Sequence, residues 1–96
     1  MVIEYLTFII DPAERDGWLA VEEQTWSRFL ERQTGFVSKQ MWVERDQPGA
    51  VHAVIVWQDE ASWHAIPHDE LAAVDQAMGS WLRDPTCRVF DVIRDC

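Results

Sequence analysis

The stretch from Gly35 to Pro67, GFVSKQMWVERDQPGAVHAVIVWQDEASWHAIP, limits the possible folds more than any other part of the chain. Two runs rich in Val, Ile, Trp and Phe flank Asp46-Gln47-Pro48-Gly49. Pro and Gly in a short gap between β-prone runs predict a hairpin, because Pro presets φ and Gly accepts the angles of a tight turn. The second run ends at Trp57-Gln58-Asp59, where Asp59 is suited to cap a helix with Glu60 in its first turn. The segment therefore reads strand, turn, strand, helix start. It carries Trp42, Trp57 and Trp63, with Trp81 just beyond, out of six tryptophans in the chain.

The flanking segments complete a pattern. Val2 to Ile10, VIEYLTFII, reads as a first strand covered on much of both faces, with Glu4 and Thr7 as its polar interruptions. Asp11-Pro12 followed by Glu14 predicts a helix start with Pro at the first helical position. Trp18, Leu19, Val21, Trp26, Phe29 and Leu30 form its apolar stripe, and Thr34-Gly35 supplies the stop. Asp59 to Ile66 predicts a short helix broken by Pro67, and Leu71, Val74, Met78, Trp81 and Leu82 form the stripe of a further one, closed by Asp84-Pro85. Thr86 to Arg94 alternates as a last strand. The order β-α-β-β-α-β predicts an α+β, ferredoxin-like fold over residues 1–96, an antiparallel four-stranded sheet with its helices on one face.

Composition excludes several function classes. With 96 residues the chain is expected to form one small domain, whose lone core is only marginally stabilising. A formal net charge of −9 without a Lys/Arg cluster argues against nucleic acid and anionic membrane as partners. The longest apolar run, Ala53 to Trp57, is too short to span a bilayer, and Glu4 interrupts the first apolar stretch where a signal peptide would need continuity. A cytoplasmic location is the expectation. Cys87 and Cys96 have neither metal-ligand nor redox spacing.

Helices cover one face of such a sheet, yet these strands are apolar on both. A second copy packed sheet to sheet is the simplest cover, so a homodimer is expected. Gly35-Phe36 before an alternating strand, the run ending in Val54-Ile55-Val56-Trp57, and the charged helix start with an aromatic resemble the dimeric α/β-barrel superfamily that includes the antibiotic-biosynthesis monooxygenases. More narrowly, Gly35-Phe36, Lys39, Trp42, Trp57 and Trp63-His64-Ala65-Ile66-Pro67 are similar to a small bacterial branch of it with no assigned activity. Haem-degrading members carry a Trp and a His where an ungapped count from Trp57 reaches Ile66 and Gln76, so the resemblance implies no haem, and no cofactor is expected.

Candidate site residues follow from the hairpin. Pairing Arg45 with Ala50 puts Ser38, Gln40, Trp42 and Glu44 on one face with Val51, Ala53, Ile55 and Trp57, leaving Lys39, Met41, Val43, His52, Val54 and Val56 on the other. The first face mixes large aromatics with small and polar neighbours, as a pocket for a small apolar or aromatic molecule would. Trp57, Trp42, Trp63, Gln40 and His64 are the expected ligand contacts, with Trp63 closing the pocket from the following helix. Simple core filling by Trp42 and Trp57 is the alternative, and a turn of different length would exchange the faces. His64 and His68 stand four apart, a zinc-compatible spacing on an unbroken helix, but Pro67 interrupts it and no metal site is expected. His52 on a strand suits a rim or interface. Three functions stay open: ligand binding, cofactor-independent oxygenation of an aromatic substrate, and a structural or regulatory dimer without ligand.

Overall fold

The computed structural model describes residues 1–96. Strands β1 (Val2–Ile9), β2 (Phe36–Glu44), β3 (Gln47–Trp57) and β4 (Thr86–Asp91) form one antiparallel sheet in the order β2-β3-β1-β4. The helical segments lie on a single face, which gives the ferredoxin-like arrangement. No helix is long and apolar enough to cross a membrane.

The first helix is in three pieces: α1 (Arg15–Glu22), a π-helical turn (Glu23–Ser27) and α2 (Arg28–Glu31). It begins later than Asp11-Pro12 suggests. Asp11 instead closes a turn, its Oδ1 accepting from the Ala13 N–H at 2.9 Å and its carbonyl from the Glu14 N–H at 2.8 Å. The stripe reaches the core, with Trp18, Phe29 and Leu30 buried. Gly35, at φ 85°, turns the chain into β2. Asp59 caps α3 (Glu60–His64), accepting from the Ser62 N–H at 2.7 Å, and Pro67 separates α3 from α4 (His68–Met78). That helix stops at Gly79, φ 58°, short of the stripe's end, and Gly79–Trp81 form a single 3-10 turn. β4 ends at Asp91 rather than Arg94.

One expectation is corrected. The hairpin turns at Arg45-Asp46, Glu44 pairs with Gln47, and an irregularity between Val43 and Glu44 sets Val43 opposite Val51. Pro48 and Gly49 belong to β3, held there by the bond from the Ile10 N–H to the Gly49 carbonyl at 2.8 Å. The register is thus one residue from the Arg45–Ala50 pairing, and a one-residue slip moves every β2 side chain to the opposite face. Lys39 and Met41 lie under the helices with Ala53 and Ile55, whereas Ser38, Gln40 and Trp42 share the open face with His52, Val54 and Val56.

Candidate functional site

A cavity of about 370 Å³ lies between helices and sheet. Alternation along β1 and β3 sends Leu6, Phe8, Ala53 and Ile55 into its floor, and the stripe of the first helix roofs it with Trp18, Trp26 and Leu30. Trp63, Ile66, Leu71 and Met78 wall it from α3, α4 and their junction. Exposed His64, His68 and Pro85 stand at its outer rim, and buried Glu22 lies at its inner end with Lys39. Size and lining fall within the usual range for a small-molecule site.

Three polar groups distinguish it from plain core. Glu4 projects from the middle of β1, and its Oε1 accepts from the Trp57 indole N–H at 3.1 Å. Its other carboxylate oxygen has no protein partner and is not sealed away, so it faces the cavity. Burial pushes the Glu4 carboxyl above its ordinary range, against the opposing pull of the Trp57 N–H and the nearby Lys39 and His64. Lys39 and Glu22 form a buried ion pair, with side chains only 8% and 4% exposed. Ser27 joins them: its hydroxyl lies 2.8 and 3.0 Å from the two Glu22 carboxylate oxygens and accepts from Lys39 Nζ at 2.9 Å. The π-helical turn makes that possible, since its extra residue brings positions five apart onto one side. Asp75, deeper along α4, is likewise raised, first by burial and then by Asp84. The Trp18 indole nitrogen is sealed without a hydrogen-bond partner.

Trp63 and His64 reach the cavity, their rings stacked at 4.4 Å, and His64 Nε2 lies 3.1 Å from Glu60. Trp57 is wholly buried and meets the cavity only through Glu4. Trp42 and Gln40 lie on the opposite sheet face, bonded to each other at 2.9 Å, because of the register change. His64 and His68 sit on separate helices either side of Pro67. Glu4, Glu22 and Lys39 escaped notice as site residues. Their signal is charge in the wrong place: Glu4 inside an apolar strand, and Glu22 four residues from both Trp18 and Trp26 on the apolar stripe.

No family model and no curated protein matches the chain by sequence. Solved structures do match by fold. A monooxygenase of Streptomyces coelicolor from the gene ActVA-Orf6, solved with the ligand nanaomycin D, is 17% identical with a TM-score of 0.80, covering 99% of this chain and 89% of that one. SnoaB, a cofactor-independent oxygenase from Streptomyces nogalater, is 23% identical with a TM-score of 0.65, covering 98% and 92%. A conserved protein from Methanosarcina mazei Go1 is 13% identical with a TM-score of 0.72, covering 93% and 89%. The chain has the α/β fold of the antibiotic biosynthesis monooxygenase structures.

Proposed function

We propose that the protein is a cytoplasmic homodimer that binds a small, largely apolar or aromatic organic molecule in the cavity between its helices and sheet. The carrying observation is the cavity of about 370 Å³, apolar on floor, roof and walls, into which Glu4 and Lys39 project from the sheet. A closed core would not keep a carboxylate oxygen unpartnered beside such a space. Trp63 and His64 are the ligand contacts at its outer side, and Trp57 acts through Glu4. The solved complex of the Streptomyces coelicolor monooxygenase with nanaomycin D supports a ligand on this fold, by analogy of architecture. Two exposed, unpaired thiols, Cys87 and Cys96, fit a reducing compartment.

The test is a cavity-filling substitution. Ala53→Phe puts a ring into the floor, where Ala53 is 2% exposed. Titration of a panel of bicyclic and tricyclic aromatics, followed by tryptophan fluorescence, should saturate in the wild type. In the variant, affinity should fall at least about tenfold while circular dichroism stays unchanged. No saturable binding by any panel member, or binding unmoved by the filled floor, overturns the reading.

Oxygenation without a cofactor is the second reading, favoured by Glu4. A carboxyl with a raised pKa and a free oxygen on an apolar cavity is suited to take a proton from a bound substrate. Molecular oxygen would be the oxidant and the substrate the source of both electrons, one oxygen atom entering the product and the other leaving as water. Incorporation of labelled oxygen into an aromatic panel member, lost in Glu4→Gln, is the expected result.

A further inference from the structure

Lys39 is held in an unusual way for a lysine on a sheet. Its ammonium donates to Glu22 and to Ser27, and its side chain is 8% exposed. An ammonium has three N–H donors, so one is left without a protein partner on a residue that lines the cavity. Freedom to turn that donor elsewhere is small, because Glu22 is itself fixed by Ser27 from the π-helical turn. Lys39, Ile55 and Glu4 form one cross-strand row, so the spare donor stands one strand away from Glu4 on the same floor. A buried donor in an apolar site is satisfied by an acceptor, and here the ligand is the remaining source of one.

We infer that Lys39 is the specificity-determining donor of this cavity, and that the ligand is a flat apolar molecule carrying a carbonyl oxygen at its inner end. Glu22 already neutralises the ammonium, and Glu4 lies beside it, so the inner end offers a hydrogen bond without a net positive field. A neutral ketone fits that arrangement and an aromatic carboxylate does not. Glu22 and Ser27 are positioning residues: they fix the direction of the Lys39 donor without touching the ligand. This inference rests on the cavity being a ligand site.

Three probes of one shape test it: 2-acetylnaphthalene, 2-ethylnaphthalene and 2-naphthoate, titrated calorimetrically into the wild-type protein. The ketone should bind roughly tenfold or more tightly than the hydrocarbon, as a hydrogen bond to a charged donor implies. The carboxylate should bind less tightly than the ketone. The carbonyl stretch of carbon-13-labelled ketone should move to lower frequency on binding, a signature a merely structural lysine would not produce. In Lys39→Met/Glu22→Gln, which removes the ion pair without stranding a charge, the shift should vanish and ketone affinity should fall to that of the hydrocarbon. Glu22→Gln alone should keep the ketone preference. Equal affinity for ketone and hydrocarbon in the wild type, an unshifted stretch, or tightest binding by naphthoate overturns the role of Lys39 and leaves the cavity as a ligand site. Failure of all three probes to bind removes both the role and the ligand site.

Discussion

Glu4 and Trp57 are coupled, and the coupling has measurable consequences. Burial raises the Glu4 carboxyl in the folded state, so between its ordinary value and the raised one the native protein holds a proton that the unfolded chain has lost. Stability therefore falls as pH rises through that window, and Glu4→Gln, which cannot ionise, removes the fall. Thermal unfolding across pH 5 to 8 should show the variant gaining on the wild type as pH rises, and a pH-independent difference would contradict the assignment. Trp57→Phe keeps most of the buried ring but deletes the indole donor that opposes the shift, so the Glu4 titration, followed by carboxyl carbon NMR, should move further upward. At Ser27 the hydroxyl joins both members of a buried ion pair. Ser27→Ala should cost about 1–3 kcal/mol in denaturant unfolding, the range for stranding a buried partner.

Elements whose cause is local were legible in the chain, and those whose cause is distant were not. Asp59 caps α3 through its own Ser62 N–H, Gly35 ends the first helical segment with a positive φ, and the stripes of Trp18, Phe29, Leu30, Val74 and Met78 reach the core at helical spacing. The hairpin register depends instead on β1: the Ile10–Gly49 bond draws Pro48-Gly49 into β3 and moves the turn to Arg45-Asp46. That shift exchanged the faces of Lys39 and Trp42, so the cavity lies on the helix side with only Trp63 and His64 of the expected contacts lining it. The π-helical turn is equally hidden, because its gain is a contact between Glu22 and Ser27 on one side and Lys39 on a different element. Gly35 shows how tightly the elements meet: a Cβ there would run into the side chain of Ser62 at a φ of 85°. Gly35→Ala should cost at least ~2 kcal/mol, combining left-handed strain with the clash. Adding Ser62→Gly should recover part of that loss in chemical denaturation, and no recovery would assign the whole cost to the backbone angle.

At the scale of the molecule, the sheet has a second face that nothing in one chain covers. The protein is only 18 Å through its thinnest dimension, the depth of one helix layer on one sheet. Across three rows of the open face, Ser38–Val56–Ile3–Phe90, Gln40–Val54–Tyr5–Arg88 and Trp42–His52–Thr7–Thr86, a chain with 17 acidic and 8 basic residues places only Arg88 as a formal charge. Tyr5 sits at the centre, edge-on to Trp42 and Phe90 at ring separations of 6.3 and 5.8 Å, with Arg88 over its ring at 5.1 Å. Trp42 and Phe90 remain 48% and 44% exposed, more apolar ring than a free sheet face normally offers to water. A second copy with the same face supplies the matching cover, its low charge sparing the pair the repulsion that −9 per chain would otherwise bring. Light scattering coupled to size exclusion should give about twice the monomer mass at micromolar concentration. Trp42→Glu with Phe90→Glu should return it to the monomer mass at unchanged circular dichroism, because neither ring belongs to the buried core. A wild type that elutes as a monomer, or a doubly substituted chain that still dimerises, would place the partner on another surface.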